Sequence, residues 1–250
     1  MSPTTRVPVP AYRFPVAIGA GLTNRGKVRE KNEDSILTDP SGMLWAVADG
    51  MGGYGHGDVA SDIVIDCLAA IPDDAAPEQA LVAQLEQANR LVAERQSQPG
   101  MGRMGSTVVA MIVTGAVAHV AWAGDSRAYL LRAGRLRMLT RDHSVVQDLV
   151  DRGELTPEEA ESHPESHIIT RAVGGAAVLE VDSASVPLAV GDRLMLCSDG
   201  LTRCVYEQTI EQLLVAAATP ELACQSLVRE ALDSGAPDNV SAIVVEIVEG

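Results

Sequence analysis

The sequence predicts an α+β layered fold with mainly antiparallel strand pairing. Three observations carry this. Short β-like runs come in groups rather than alternating singly with helices. Two adjacent amphipathic helices separate two of those groups, so simple βαβ alternation fails. A run at 106–113 is joined to one at 117–123 by Thr114-Gly115-Ala116, the spacing of a hairpin.

The elements follow in order. The first β-like runs lie at 16–20, 35–38 and 43–48. In 58–71, Val59, Ile63, Val64, Cys67, Leu68 and Ile71 form one apolar stripe, and in 78–95 Leu81, Val82, Leu85, Ala88, Leu91 and Val92 do the same, so both are helices. Strands at 106–113, 117–123 and 127–131 come next. Residues 143–175 are polar and interrupt the strand series, which reads as a surface flap. Inside it, Thr156-Pro157-Glu158-Glu159 is a capping box opening a short helix. Strands at 179–187 and 193–198 follow. Thr219-Pro220 reads as N-cap and N1 of a helix to about Leu232, and a strand at 240–248 closes the series.

A chain of 250 residues suits one large domain or two small ones. Hydrophobic residues reach 46% but aromatics only 3%, so aliphatic side chains must fill the core. The net charge of −15 repels phosphate backbones and argues against nucleic acid as a partner. Clustered carboxylates still need a counter-charge, so cations remain open. The four cysteines, Cys67, Cys197, Cys204 and Cys224, show no CxxC spacing, which points away from zinc or disulfides and toward a reducing compartment. No run approaches the roughly 18 apolar residues of a membrane span. The head MSPTTRVPVPAYRFP has four prolines and no apolar h-region. It is not a signal peptide, and residues 1–15 are expected to be a mobile or loosely packed arm. The final apolar run ends at Val248, so no receptor tail or anchor is expected.

The chemistry lies at strand ends. MLWAVADGMGG (43–53) is an apolar run that ends on Asp49 and then loses almost all side chains. LMLCSDG (194–200) repeats the pattern at Asp199-Gly200, AHVAWAGDS (118–126) places Asp125 after Gly124, and APDNVSAIVV (236–245) sets Asp238 before an apolar run. Each alone can be turn chemistry. Together they can gather carboxylates at one sheet edge, where they repel unless a cation sits among them. Oxygen ligands of this kind suit Mg²⁺ or Mn²⁺. Turn chemistry and a divalent-metal site both remain open on these grounds.

The ordered motifs resemble a known family. They are Gly26-Lys27-Val28-Arg29 with Asn32-Glu33-Asp34, Val47-Ala48-Asp49-Gly50-Met51-Gly52-Gly53, Gly105-Ser106-Thr107, Gly124-Asp125-Ser126-Arg127, Leu139-Thr140-Arg141-Asp142-His143-Ser144, Cys197-Ser198-Asp199-Gly200-Leu201 and Asp238-Asn239. From about Ala17 to Val248 the chain resembles the metal-dependent protein phosphatases of the 2C type, in particular the compact bacterial serine/threonine members. The resemblance implies a four-layer α-β-β-α fold, a central antiparallel β-sandwich flanked by helices with a binuclear metal cleft at one end. It makes residues 16–250 a single catalytic domain. It implies two tightly held Mn²⁺ or Mg²⁺ ions on Asp49, the Gly50 carbonyl, Asp199 and Asp238, and a third, weaker ion near Asp125. Arg29 would grip the phosphate and Asp34 would support the cleft. The implied reaction is hydrolysis of phosphoserine or phosphothreonine by a metal-bridged hydroxide, with no covalent intermediate.

Other positions divide. Met51 cannot donate a proton, so no general acid is assigned. His167 in the flap is either a third-metal ligand or a solvated loop residue. His163 lacks partners for a zinc site, and His119 alternates within a strand as a structural residue. A catalytically dead phosphoprotein binder is the competing class, against which the four retained acids argue. A Ca²⁺ module is another, but no EF-hand spacing occurs. The resemblance further implies phosphorylated Ser/Thr proteins as partners, through a cognate bacterial serine/threonine kinase or its forkhead-associated-domain substrate. A cytoplasmic monomer without membrane contact is expected.

Overall fold

A computed structural model describes residues 15–39, 41–52, 55–161 and 163–250. The arm expected over 1–15 therefore lies, up to residue 14, outside the described residues, as does Gly53. Two antiparallel five-stranded sheets form the centre. In the first, β1 (Pro15–Asn24) pairs with β10 (Val240–Glu249), then come β9 (Arg193–Cys197), β6 (Arg127–Arg132) and β7 (Arg135–Met138). In the second, β2 (Asp34–Thr38), β3 (Leu44–Gly52), β4 (Met104–Thr114), β5 (Val117–Ala123) and β8 (Asp182–Pro187) follow in chain order.

Period-2 alternation divides each strand between two cores. In β3, Trp45 and Val47 face the sandwich interior with Val109, Met111, Leu196 and Ile243. Leu44, Ala46 and Ala48 face away and pack under α1 (Gly57–Ala69) and α2 (Pro77–Gln96), against Val64, Leu68, Leu81 and Leu85. In β10, Val240, Ala242 and Val244 take the opposite outer face, beneath α5 (Asp199–Thr202), α6 (Glu207–Ala216) and α7 (Pro220–Asp233). The result is the α-β-β-α layering that the resemblance implies.

The caps act as the sequence suggests. Thr219 Oγ1 accepts from Leu222 N at 3.3 Å ahead of Pro220. Thr156 and Glu159 bond reciprocally, at 2.8 and 3.2 Å, to open α4 (Pro157–Glu161). Residues 143–175 also hold α3 (Val145–Asp151), capped by Ser144; a single bridge Ser106↔Val173 ties them to β4, and Ser144↔Ile169 bridges within the segment. The strand expected from 179 begins at Asp182.

Candidate metal centre

All the strand-end acids lie at one end of the sandwich. Asp34 opens β2 and pairs in register with Asp49 near the end of β3. Asp125 sits in the β5–β6 turn, Asp199 follows β9 and starts α5, and Asp238 precedes β10. The loop 25–33 carrying Arg29 is bound to the same end by Asn239. Its Nδ2 donates to the carbonyls of Arg25 and Lys31, both at 2.9 Å, and its Oδ1 accepts from Glu33 N at 2.8 Å.

Glycine beside two of these acids answers a packing demand. A Cβ on Gly50 would lie 2.2 Å from the Gly57 carbonyl oxygen and 2.5 Å from that of Glu33. A Cβ on Gly200 would lie 1.9 Å from the Asn239 carbonyl oxygen. Backbone thus meets backbone at both positions, holding Asp49 against α1 and Asp199 against the Asp238 loop.

The electrostatics are those of acids forced together. Burial holds the Asp49 carboxyl well above the usual range, and Asp34, Asp199, Asp125 and Asp238 each push it further. Burial lifts Asp34 to about 7, against the hydroxyls of Ser241 and Ser198 that donate to its Oδ2 at 2.6 and 2.9 Å. Burial, with Asp199 nearby, lifts Asp125 to about 7. Asp199 is raised by burial against the pull of Arg203, and Asp238 nearby raises it further. Among the described residues no three carboxylate, imidazole or thiol groups close into a finished cage. Three oxygens inside the cluster, Asp34 Oδ1, Asp125 Oδ1 and Asp199 Oδ1, are nonetheless buried without a hydrogen-bond partner. Buried acceptors are normally satisfied. Hard oxygen donors left open among repelling carboxyls fit a divalent cation such as Mg²⁺ or Mn²⁺.

Two arginines meet part of this charge. Arg29 Nη2 donates to Asp238 Oδ2 at 2.7 Å from an exposed position. Arg203 Nη2 lies 2.6 Å from Asp199 Oδ2 and 3.7 Å from Asp125 Oδ2. Sequence reasoning missed Arg203, whose signal is its place one helical turn after Asp199. It also assigned no role to His143, whose Nδ1 accepts from Gly124 N at 3.1 Å while Gly124 O accepts from His143 N at 2.9 Å, fixing the turn before Asp125. His167 is exposed, and no hydrogen bond or ion pair joins it to Asp125 among the described residues. A cavity of about 270 Å³ lined by Leu37, Met43, Leu44, Ile71 and Ile112 lies at the opposite end of the second sheet, away from these acids.

Residues 23–149 match the family model described as protein phosphatase 2C. The serine/threonine phosphatase stp of Listeria monocytogenes is 36% identical over 235 residues, covering 90% of this chain and 93% of its own length. The chain belongs to the protein phosphatase 2C family. The serine/threonine protein phosphatase PstP of Mycobacterium tuberculosis is 42% identical over 237 residues, which cover 92% of this chain but 45% of that protein. The chain thus spans about half the length of that relative. The crystal structure of the PstP catalytic domain in complex with two manganese ions superposes with a TM-score of 0.86 at 37% identity, covering 94% of this chain and 100% of that one. No helix among the described residues is long and apolar enough to cross a membrane.

The raised acids of this protein phosphatase 2C chain predict an unusual pH response when metal is withheld. Asp34 and Asp125 titrate near 7 in the fold and near 3.8 when ordinary. The folded state therefore binds more protons between about pH 4 and 7, and stability falls as pH rises through that window. In chelator, the melting temperature is expected to drop from pH 5 to pH 8, and added Mn²⁺ to flatten the profile by neutralising the cluster. A metal-free profile that rises over this range would show that the acids are not crowded in solution.

Proposed function

We propose that this chain is a metal-dependent serine/threonine phosphoprotein phosphatase, hydrolysing phosphoserine and phosphothreonine without a covalent intermediate. The observation that carries the reading is the group of mutually repelling acids with partnerless buried oxygens at one cleft. Family membership and the names of the relatives support the reaction class. Asp49, Asp199, Asp238 and the Gly50 carbonyl would hold two Mn²⁺ or Mg²⁺ ions, and Asp125 a third, weaker one, with His167 able to join only if the 143–175 flap brings it closer. When bound, such a pair supplies a water acidified toward neutral pH and electrophilic stabilisation of the phosphoryl oxygens.

The chain's own residues do the rest. Asp34 is engaged by Ser198 and Ser241 and holds the floor of the cleft. Arg29 stands at the mouth with its guanidinium exposed, and its planar fork would suit two phosphoryl oxygens if Asp238, its partner here, served the metal instead. Ser198 and Ser241 both donate their hydroxyls to Asp34, and burial pushes the Cys197 thiol up to about 12, so these three are poor nucleophiles. The attacking group on this reading is water.

On this reading residues 16–250 form one catalytic domain, with 1–15 as an arm. Its partners are phosphorylated Ser/Thr proteins, reached through a cognate bacterial serine/threonine kinase or a forkhead-associated-domain substrate of that kinase, for a monomer in the cytoplasm. The test is hydrolysis of p-nitrophenyl phosphate and of a phosphothreonine peptide with Mn²⁺, then with excess EDTA. Rates should appear with the metal and vanish with the chelator; full turnover in EDTA would sink the proposal.

A further inference from the structure

Arg203 is placed where the resemblance puts a cation. It follows Asp199 by one turn of α5, with its backbone N–H bonded to the Asp199 carbonyl at 2.8 Å. From there Nη2 reaches 2.6 Å from Asp199 Oδ2 and 3.7 Å from Asp125 Oδ2. The other oxygen of each acid, Oδ1, is buried without a partner. One face of the pair is therefore taken by a guanidinium, and the other is open.

The neighbouring arginine cannot take this role. Arg127 is held by Asp142, with Nε at 2.9 Å from Oδ1 and Nη2 at 2.7 Å from Oδ2. Arg203 has no such second anchor among the hydrogen bonds of the described residues, and its side chain is 40% exposed. It carries a permanent single charge, can leave into solvent, and returns to the same two acids through its helical anchor.

We propose that Arg203 is the chain's own competitor for the third cation: its guanidinium occupies the Oδ2 face shared by Asp125 and Asp199, so a divalent ion entering at the open Oδ1 face meets acids already part-neutralised and gains their Oδ2 atoms only by displacing it. The proposal rests on the metal-centre reading above and adds the reason that the third ion is weak. The ligands are present, but one of their faces is already neutralised. In the metal-free protein Arg203 also keeps Asp125 and Asp199 apart from full mutual repulsion.

Calorimetric titration of Mn²⁺ into the metal-stripped full chain separates tight from weak uptake. Arg203→Ala and Arg203→Gln should each tighten the weak phase about fivefold or more, the scale of one part-exposed ion pair, and the tight phase, which shares Asp199 with Arg203, by less. Two variants are used so that misfolding of one, seen as a lost melting transition, leaves the other to decide. Arg203→Lys, a point charge on a flexible stem, should tighten it less. Asp125→Ala should remove the weak phase with or without Arg203. A weak phase unchanged or lost in the folded Arg203 variants overturns the proposal, as does tightening that persists without Asp125. If the wild type takes up no Mn²⁺, the metal centre falls and this proposal with it; tight uptake with identical weak phases overturns this proposal alone.

Discussion

Asparagine at position 49 is expected to lower turnover by more than about a hundredfold and to leave the protein folded. Asp49 is the acid pressed by all four of its neighbours, Asp34, Asp199, Asp125 and Asp238. It lies where both sheets end and where a cation would have most negative charge to gain. Removing its charge removes the strongest electrostatic partner of the proposed metal pair. Loss of one such partner is worth on the order of 3 kcal/mol of transition-state stabilisation, which is the hundredfold. The fold should not suffer, because the same substitution relieves repulsion in the metal-free state. Steady-state kinetics in saturating Mn²⁺, with a melting curve in chelator, reads both halves. A near-normal rate would remove Asp49 from the metal centre, and a lower melting temperature in chelator would contradict the crowding of acids.

Alanine at position 200 is expected to damage fold and site together. Its Cβ would stand 1.9 Å from the Asn239 carbonyl oxygen and 3.0 Å from its carbon. Backbone is on both sides, so no rotamer can yield, and α5 must move from the 238–239 loop. Overpacking of this kind costs about 2 kcal/mol or more, a fall of about 4–8 °C in melting temperature for a chain of this size. The displacement separates Asp199 from Asp238 and loosens Asn239, which ties down the loop of Arg29. Turnover should fall by at least about tenfold even at temperatures where the variant is folded. The decisive comparison is Mn²⁺ affinity in the folded variant: weakened tight binding supports the placement, and wild-type affinity would show that Gly200 matters to stability alone.

Strands whose two faces are both apolar were legible because few other structures bury such runs. Residues 43–48 stand out for this reason, yet β3 continues to Gly52, because Gly50–Gly52 pair with Ser106–Met104 despite having little side chain to signal it. The strand β7 was not legible. Arg135 and Arg137 are exposed on it, and only Leu136 and Met138 pack inward, so four residues read as a loop. The helix α6 has no side-chain cap at Tyr206 and only Ile210 and Leu214 fully buried, which left no span to mark. The acids of the site were legible because Asp-Gly after an apolar run is an abrupt change of chemistry. Arg203 and His143 were not, since each acts on a site residue through a geometry, a helical turn in one case and a strand-to-loop contact in the other, that exists only after folding.

The pairing order of the first sheet bears on how the molecule comes to be made. The last strand, β10, is an inner strand that lies between β1 and β9, and its register runs from Asn24↔Val240 to Pro15↔Glu249. Arg29 meets Asp238 across 209 positions of sequence. Contacts of such separation require large loops to close before they are rewarded, which slows folding. During synthesis Asp49, Asp125 and Asp199 emerge well before Asp238, so the nascent chain lacks for a time the strand that joins β1 to β9. The acids of the candidate site then meet only when β10 inserts between its two neighbours, because Asp238 immediately precedes that strand.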